Sequence, residues 1–185
     1  MSQPAPETGD VRDRLAAVRL LAMDVDGVLT DGGIFLAGDE PEMKRFHVLD
    51  GLGLRLAMLG GLTVAWISGR ESGAVERRAR ELGVERLCQG AANKARALAT
   101  MMAELQIDRD AVAYIGDDWN DLPAFSIAGL RFAPSSAPAE IKGVVDMVTE
   151  APGGQGAVRE VCDLLLKARG TYQSAVETYL REMLA

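Results

Sequence analysis

Short apolar runs alternate with segments of helical periodicity along this chain of 185 residues. Val18 to Met23 reads as a first buried strand, followed by Leu62 to Ser68, Arg86 to Gln89, Ala111 to Gly116, Leu130 to Ala133 and Met147 to Thr149. Aliphatic runs this short suit strands covered on both faces. The intervening helical stretches have recognisable ends. Asp50 can cap a helix that Gly60 stops, and Glu71 to Leu82 is closed by Gly83. Asn93 can start a helix through Gln106, and Gly156 to Arg169 ends at Gly170. Strand and helix in alternation predict an α/β fold, a doubly wound parallel sheet with right-handed crossovers. Such a sheet builds its site at the carboxyl ends of its strands.

One interval breaks the alternation. Between Gly33 and Val48 two extended runs flank a turn at Gly38 to Pro41, which predicts a β-hairpin inserted after the first strand. The stretch from Asp31 to Leu62 has room for that hairpin and one helix only, and Gly69 to Asn93 for one helix and a strand, so no cap domain is expected. Residues 1–17 read as a flexible tail and short lead-in, 18–170 as one doubly wound domain, and 171–185 as a C-terminal helical extension. Tyr172, Ala175, Val176, Tyr179, Leu180 and Met183 share one face of that last helix, which either docks on the domain or meets another subunit.

Composition narrows the function classes. A 48% hydrophobic chain of this length fills a core without disulfides. Twenty basic against 27 acidic residues give a net charge of −7, which repels nucleic acid and anionic membranes, so an anionic ligand must be held by local donors. The longest apolar stretch, Leu56 to Ile67, is interrupted by Gly60 and Gly61 and is too short for the roughly 20 residues of a membrane span. Cys88 and Cys162 lack metal-ligand spacing, and SQPAPETGD lacks the basic start and apolar run of a secretory signal. Reduced thiols and a cytoplasmic location are the expectation.

Asp24 and Asp26 form a D-x-D at the end of the first strand. Chance supplies such a pair in a chain this acidic, as Asp108 and Asp110 illustrate; position is what raises the first pair. There one carboxylate can attack phosphorus and the other can serve the leaving and attacking oxygens as acid and base. Ser68 ends the second strand in ISGR, Lys94 starts a helix, and GDDWND (Gly116 to Asp121) ends the fourth strand. A hydroxyl and an ammonium suit phosphoryl oxygens, and Asp117 can complete an oxygen site for Mg²⁺ with Asp24. Each group alone also has an ordinary structural use: Ser68 as a helix lead-in, Lys94 as a solvated helix residue, Asp117 and Asp118 as helix caps. Their convergence at the strand ends of one sheet argues for a site.

DVDGVLTDG, ISGR, Lys94 and GDDWND, in that order, resemble the four motifs of the haloacid dehalogenase superfamily of phosphotransferases. Within it, KRFHVLDGLGLRL, RRARELGV and APGGQGAVRE are similar to the octulosonate 8-phosphate branch, which serves lipopolysaccharide precursor synthesis. The phosphatases of nine-carbon sugar acids, sialic and deaminoneuraminic, share the frame, and Arg70 after Ser68-Gly69 favours the eight-carbon branch. The resemblance implies a Mg²⁺-dependent phosphomonoester hydrolase in which Asp24 forms an aspartyl phosphate and Asp26 is acid and base. It implies that the Asp24 carboxylate, the Asp26 carbonyl and the Asp117 carboxylate hold the metal, with Asp118 and Asp121 orienting that shell. Ser68, Gly69 and Lys94 then bind the phosphoryl group. Arg70, with Lys44 or Arg45 from the hairpin and Arg159 from a neighbouring subunit, is the candidate for the substrate carboxylate. A homotetramer joined through the hairpins is also implied.

The chain departs from that pattern at Leu49, where a basic residue is usual, at Asn93, where an aspartate is usual, and in its last helix. His47 reads as a packed residue with no role in this chemistry. Two other classes compete: a response-regulator receiver, and a catalytically silent phosphatase-like regulatory module. The first would lack Asp26 and the hairpin, and the second would have lost one of Asp24, Asp26, Lys94 and Asp117, all of which are present.

Overall fold

The computed structural model describes residues 11–36 and 42–184. Six strands form one parallel sheet: β1 (Leu20–Met23), β2 (Thr63–Ile67), β3 (Arg86–Cys88), β4 (Val112–Ile115), β5 (Leu130–Ala133) and β6 (Met147–Val148), in the order β3-β2-β1-β4-β5-β6. Alternate side chains enter opposite cores, as the two-residue period of a strand requires. Leu21, Met23, Val64, Trp66, Ala113 and Ile115 pack on one face; Leu20, Ala22, Ala65, Ile67, Val112 and Tyr114 pack on the other.

Helices cover both faces. The first carries α1 (Val11–Ala17), α2 (Val48–Leu59), α3 (Gly73–Leu82), α7 (Ala157–Arg169) and α8 (Tyr172–Met183). The second carries α4 (Lys94–Leu105) and two single turns, α5 (Leu122–Phe125) and α6 (Ala139–Lys142). The doubly wound parallel sheet without a cap is as the alternation predicts. Among the described residues no helix is long and apolar enough to cross a membrane, and Cys88 and Cys162 are free.

Several local expectations are corrected. Residues 11–17 are a helix and no mere tail: Leu15 is buried, and the Arg14 guanidinium donates to the Gly129 carbonyl (2.8 Å) and Asp146 (3.2 Å). Residues 1–10 and 185 lie outside the described set. Asp50 does not cap its own helix, whose N-cap position is His47. Its buried carboxylate instead accepts from the backbone N–H groups of Gly156 (3.1 Å) and Arg159 (2.8 Å), so it caps α7 across the fold. Of the expected hairpin the described residues show one antiparallel bridge, Phe35 to Met43, and its predicted turn at Gly38 to Pro41 falls outside them. The C-terminal helix α8 docks: Ala175 is buried, Tyr172, Val176 and Tyr179 pack on the same core, and Arg55 pairs with Glu182 at 3.1 Å.

Candidate active site

Strands β2, β1 and β4 lie side by side, and the residues just beyond their carboxyl ends are Ser68, Asp24 and Asp117. Strand order reverses between β1 and β4, which opens the crevice where such sheets take ligands. A cavity of about 280 Å³ occupies it, lined among others by Asp24, Asp26, Gly27, Ser68, Arg70 and Asp117. A larger hollow of about 580 Å³ runs along β3 and α4, but its charged residues include the Arg86–Glu104 ion pair and it receives no strand-end chemistry.

Asp24 is buried, with its Oδ1 accepting from the Val25 N–H (2.7 Å) and its Oδ2 2.6 Å from the Lys94 ammonium. Asn93 positions that lysine: its Oδ1 accepts from the Arg96 N–H (3.0 Å) and caps α4, so Lys94 occupies the first turn. The aspartate usual at that position would cap by the same geometry. The loop after Asp24 is folded by Thr30, whose Oγ1 accepts from the Gly27 and Gly32 N–H groups. Gly27 has φ +90°, and a Cβ there would stand 2.0 Å from Asp117 Oδ2, so only glycine lets this loop close on that carboxylate. Behind the loop, Gly154 (φ +64°) donates its N–H to the Val28 carbonyl at 2.9 Å; the glycine-rich segment is thus a packed lead-in to α7.

Asp121 is wholly buried and its acceptors are saturated. Oδ1 receives the Lys94 ammonium (2.7 Å) and the Tyr114 hydroxyl (2.9 Å); Oδ2 receives the N–H groups of Asp117 (2.9 Å) and Asp118 (3.3 Å). It orients its neighbours and has no lone pair directed at a metal. Asp118 is exposed and caps the Trp119 N–H at 2.7 Å.

Oxygens of Asp24, Asp117 and Asp121 lie within 4.8 Å of one another. Burial, then the charge of Asp121, pushes Asp24 up to about 6 despite Lys94. Burial, then the charges of Asp24 and Asp121, pushes Asp117 up to about 7. Burial works against a charged Lys94, but the two carboxylates outweigh it and raise its pKa. One ammonium does not balance three carboxylates, and Asp117 Oδ1 is buried without a hydrogen-bond partner. The set fits a hard divalent cation held by Asp24 and Asp117. The Asp26 carbonyl, which accepts no hydrogen bond among the described residues, can complete it.

Ser68 is buried, and its Oγ accepts from the Arg70 N–H (3.1 Å), which leaves its proton to donate into the cavity. Asp26 is half-buried and accepts from the Lys44 ammonium. The expected substrate contact of Lys44 needs revision. Lys44 has a fully buried side chain, committed to Asp26 and to Glu42 at 3.2 Å. Arg70 is half-exposed, lines the cavity and pairs with Glu42 at 2.8 Å. Arg45 is turned to Asp31 at 2.6 Å. Arg159 does not line this cavity; it pairs with Asp163 at 2.8 Å on α7, and burial against Asp163 is resolved in favour of its charge. His47 Nδ1 stands 3.9 Å from Asp50, away from the cavity lining.

Sequence reasoning missed Glu42 and Tyr114. Tyr114 is legible only as a core residue of β4, although a buried phenol needs a partner. Glu42 sits beside a turn where an acid is unremarkable.

A profile of haloacid dehalogenase-like hydrolases matches residues 60–160. The chain belongs to this family. Within the haloacid dehalogenase-like hydrolases, it is 43% identical over 170 residues to the 3-deoxy-D-manno-octulosonate 8-phosphate phosphatase of Escherichia coli K12, covering 92% of this chain and 90% of that one. The crystal structure of the same phosphatase from Yersinia pestis superposes with a TM-score of 0.86 at 42% identity, covering 88% of each chain. The structure of the Moraxella catarrhalis phosphatase in complex with a magnesium ion, a phosphate ion and KDO also gives 0.86, at 40% identity over 91% of this hydrolase and 97% of that chain.

Proposed function

We propose that this hydrolase converts 3-deoxy-D-manno-octulosonate 8-phosphate to the free sugar acid and phosphate by way of a phosphoryl group carried on Asp24. The observation that carries the reading is the placement of Asp24, Ser68 and Asp117 around one cavity at three adjacent strand ends, with the Lys94 ammonium 2.6 Å from Asp24. Its support from relatives is the likeness to phosphatases of that substrate, one of them holding magnesium, phosphate and KDO.

Asp24 is the nucleophile, fixed by the Val25 N–H and by Lys94 so that one oxygen meets phosphorus in line. Asp26, two residues on and at the cavity wall, protonates the leaving alkoxide and then takes the proton of the attacking water. Lys94 and the Ser68 hydroxyl stabilise the phosphoryl oxygens as charge moves onto them, and Gly69 leaves room for the phosphate. Asp121 and Tyr114 hold Lys94, and Asp118 shapes the turn that carries Asp117. Asp24, Asp117 and the Asp26 carbonyl would hold Mg²⁺, whose charge screens a carboxylate nucleophile from an incoming phosphate dianion.

The protomer works as part of a homotetramer in the cytoplasm. Ile34, Phe35, Leu36 and Met43 are 44%, 53%, 77% and 60% exposed around a single strand bridge, an apolar edge that another copy would cover. Its acidic balance gives nucleic acid and membranes no attraction.

The test is phosphate release from a panel of purified sugar acid phosphates with and without Mg²⁺. The octulosonate 8-phosphate is expected to give the highest kcat/KM. A higher value for a nine-carbon 9-phosphate would move the chain to that substrate.

A further inference from the structure

We infer that Glu42 is the positioning residue that sets up sugar-acid recognition, tying the Lys44 ammonium and the Arg70 guanidinium together at the wall of the cavity; this deepens the proposed function and rests on it. Asp26, Glu42, Lys44 and Arg70 form a closed set of two acids and two bases. Lys44 bonds to Asp26 and lies 3.2 Å from Glu42 Oε1; Arg70 Nη2 donates to Glu42 Oε2 at 2.8 Å. Arg70 Nε stays 3.9 Å from Asp26, beyond a hydrogen bond.

The geometry separates two kinds of cation. The Lys44 side chain is fully buried, so its ammonium serves the acid–base carboxylate and is closed to substrate. The Arg70 side chain is half-exposed and lines the cavity, and among the described residues Glu42 is the only acceptor of its guanidinium hydrogen bonds. One N–H edge of the fork is anchored and the rest stays available, which is the arrangement that presents a guanidinium to a second carboxylate. An unanchored arginine would lose several rotors on binding, and fixing it beforehand removes that cost. Glu42 itself is only 13% exposed and touches the two cations rather than the cavity. Burial raises its pKa, but Ser72, the Arg70 guanidinium and the Lys44 ammonium beside it together hold the carboxyl down to about 2.

The test compares wild type, Glu42→Gln, Arg70→Ala and the double variant on two substrates, the octulosonate 8-phosphate and p-nitrophenyl phosphate, which has no carboxylate beyond the phosphate. Glu42→Gln is expected to lower the ratio of kcat/KM values, sugar acid over aryl phosphate, by about tenfold, the size of one lost charged hydrogen bond. The change should lie mainly in KM for the sugar acid. In the Arg70→Ala background the same substitution should shift the ratio by less than about twofold, because the group it positions is gone. Equal losses on both substrates would show a general structural role and overturn the inference. So would an additive double variant, or a lower KM for the sugar acid in Glu42→Gln, which would make Glu42 a competitor for Arg70. If wild type prefers another sugar acid phosphate, the proposed substrate fails while the four-variant comparison, run on the preferred one, still decides the role of Glu42.

Discussion

Replacing Asp121 with asparagine removes one oxygen from a side chain that no solvent reaches. The native carboxylate accepts four hydrogen bonds, two on each oxygen, from Lys94, Tyr114 and the backbone N–H groups of Asp117 and Asp118. An asparagine can satisfy one pair; its amide nitrogen then faces the other two donors. If the amide faces the backbone pair, two N–H groups are orphaned; if it faces Lys94 and Tyr114, a buried ammonium keeps only Asp24. At about 1–3 kcal/mol for each of two stranded donors, the loss is about 2–6 kcal/mol. That is a large part of the 5–15 kcal/mol typical of a whole domain. At about 2–4 °C for each kcal/mol in a domain of this size, the melting temperature should fall by about 4–24 °C. The same change loosens the turn bearing Asp117, so the Mg²⁺ needed for half-maximal activity should rise about 10–100-fold. The assay is a thermal melt in chelator, followed by a Mg²⁺ titration of phosphate release. Asp118→Asn is the control, since its exposed side chain only caps backbone N–H groups at the start of its own turn and asparagine caps as well as aspartate. An Asp121→Asn protein with wild-type melting and wild-type Mg²⁺ demand would refute the assignment of Asp121 as the orienting centre.

Gly27→Ala should abolish activity and weaken Mg²⁺ binding by at least the same factor, because its Cβ would fall 2.0 Å from Asp117 Oδ2 at a φ of +90°; a fully active variant in a steady-state assay contradicts the close approach. Asp24 and Asp117 titrate near 6 and 7 when folded, above the ordinary 3.8, so their contribution to stability without metal is present below about pH 4 and is lost as pH rises through 6 to 7. Mg²⁺ takes the ionised forms, so its thermal shift should be larger at pH 8 than at pH 5, and an equal shift at both would count against these carboxylates as ligands. Charged residues at Phe35 and Leu36 should reduce the tetramer to smaller species in light scattering and lower activity together; a fully active monomer would remove the hairpin interface from the account.

The sheet and its site were legible because both rest on signals local in sequence. Buried strands show as aliphatic runs, with Asp24 and Ser68 directly after two of them and Asp117 two residues after a third, so strand ends and candidate chemistry are read together. Asn93 capping α4 at Lys94 is a signal of the same local kind. What was not legible depends on partners distant along the chain. Asp50 looks like the cap of the helix it stands in, yet its carboxylate serves α7 more than 100 residues later. Arg70 looks like the partner of an acid on the next helix, yet it meets Glu42, 28 residues earlier in the chain. Tyr114 counts as one more core aromatic until its hydroxyl is found on Asp121. The α1 helix was missed because seven residues carry little periodicity; tertiary contacts of Leu15 and Arg14 hold it.

The most direct test of the central claim is acid quenching of the protein during steady-state hydrolysis of 3-deoxy-D-manno-octulosonate 8-phosphate, with peptide mass mapping of the segment containing Asp24 and Asp26. The account predicts one phosphoryl group on Asp24 in wild type, more of it in Asp26→Asn with an activated aryl phosphate, and none in Asp24→Asn, which should be folded and inactive. Turnover retained by Asp24→Asn, or a phosphoryl group found on any other residue, would contradict it.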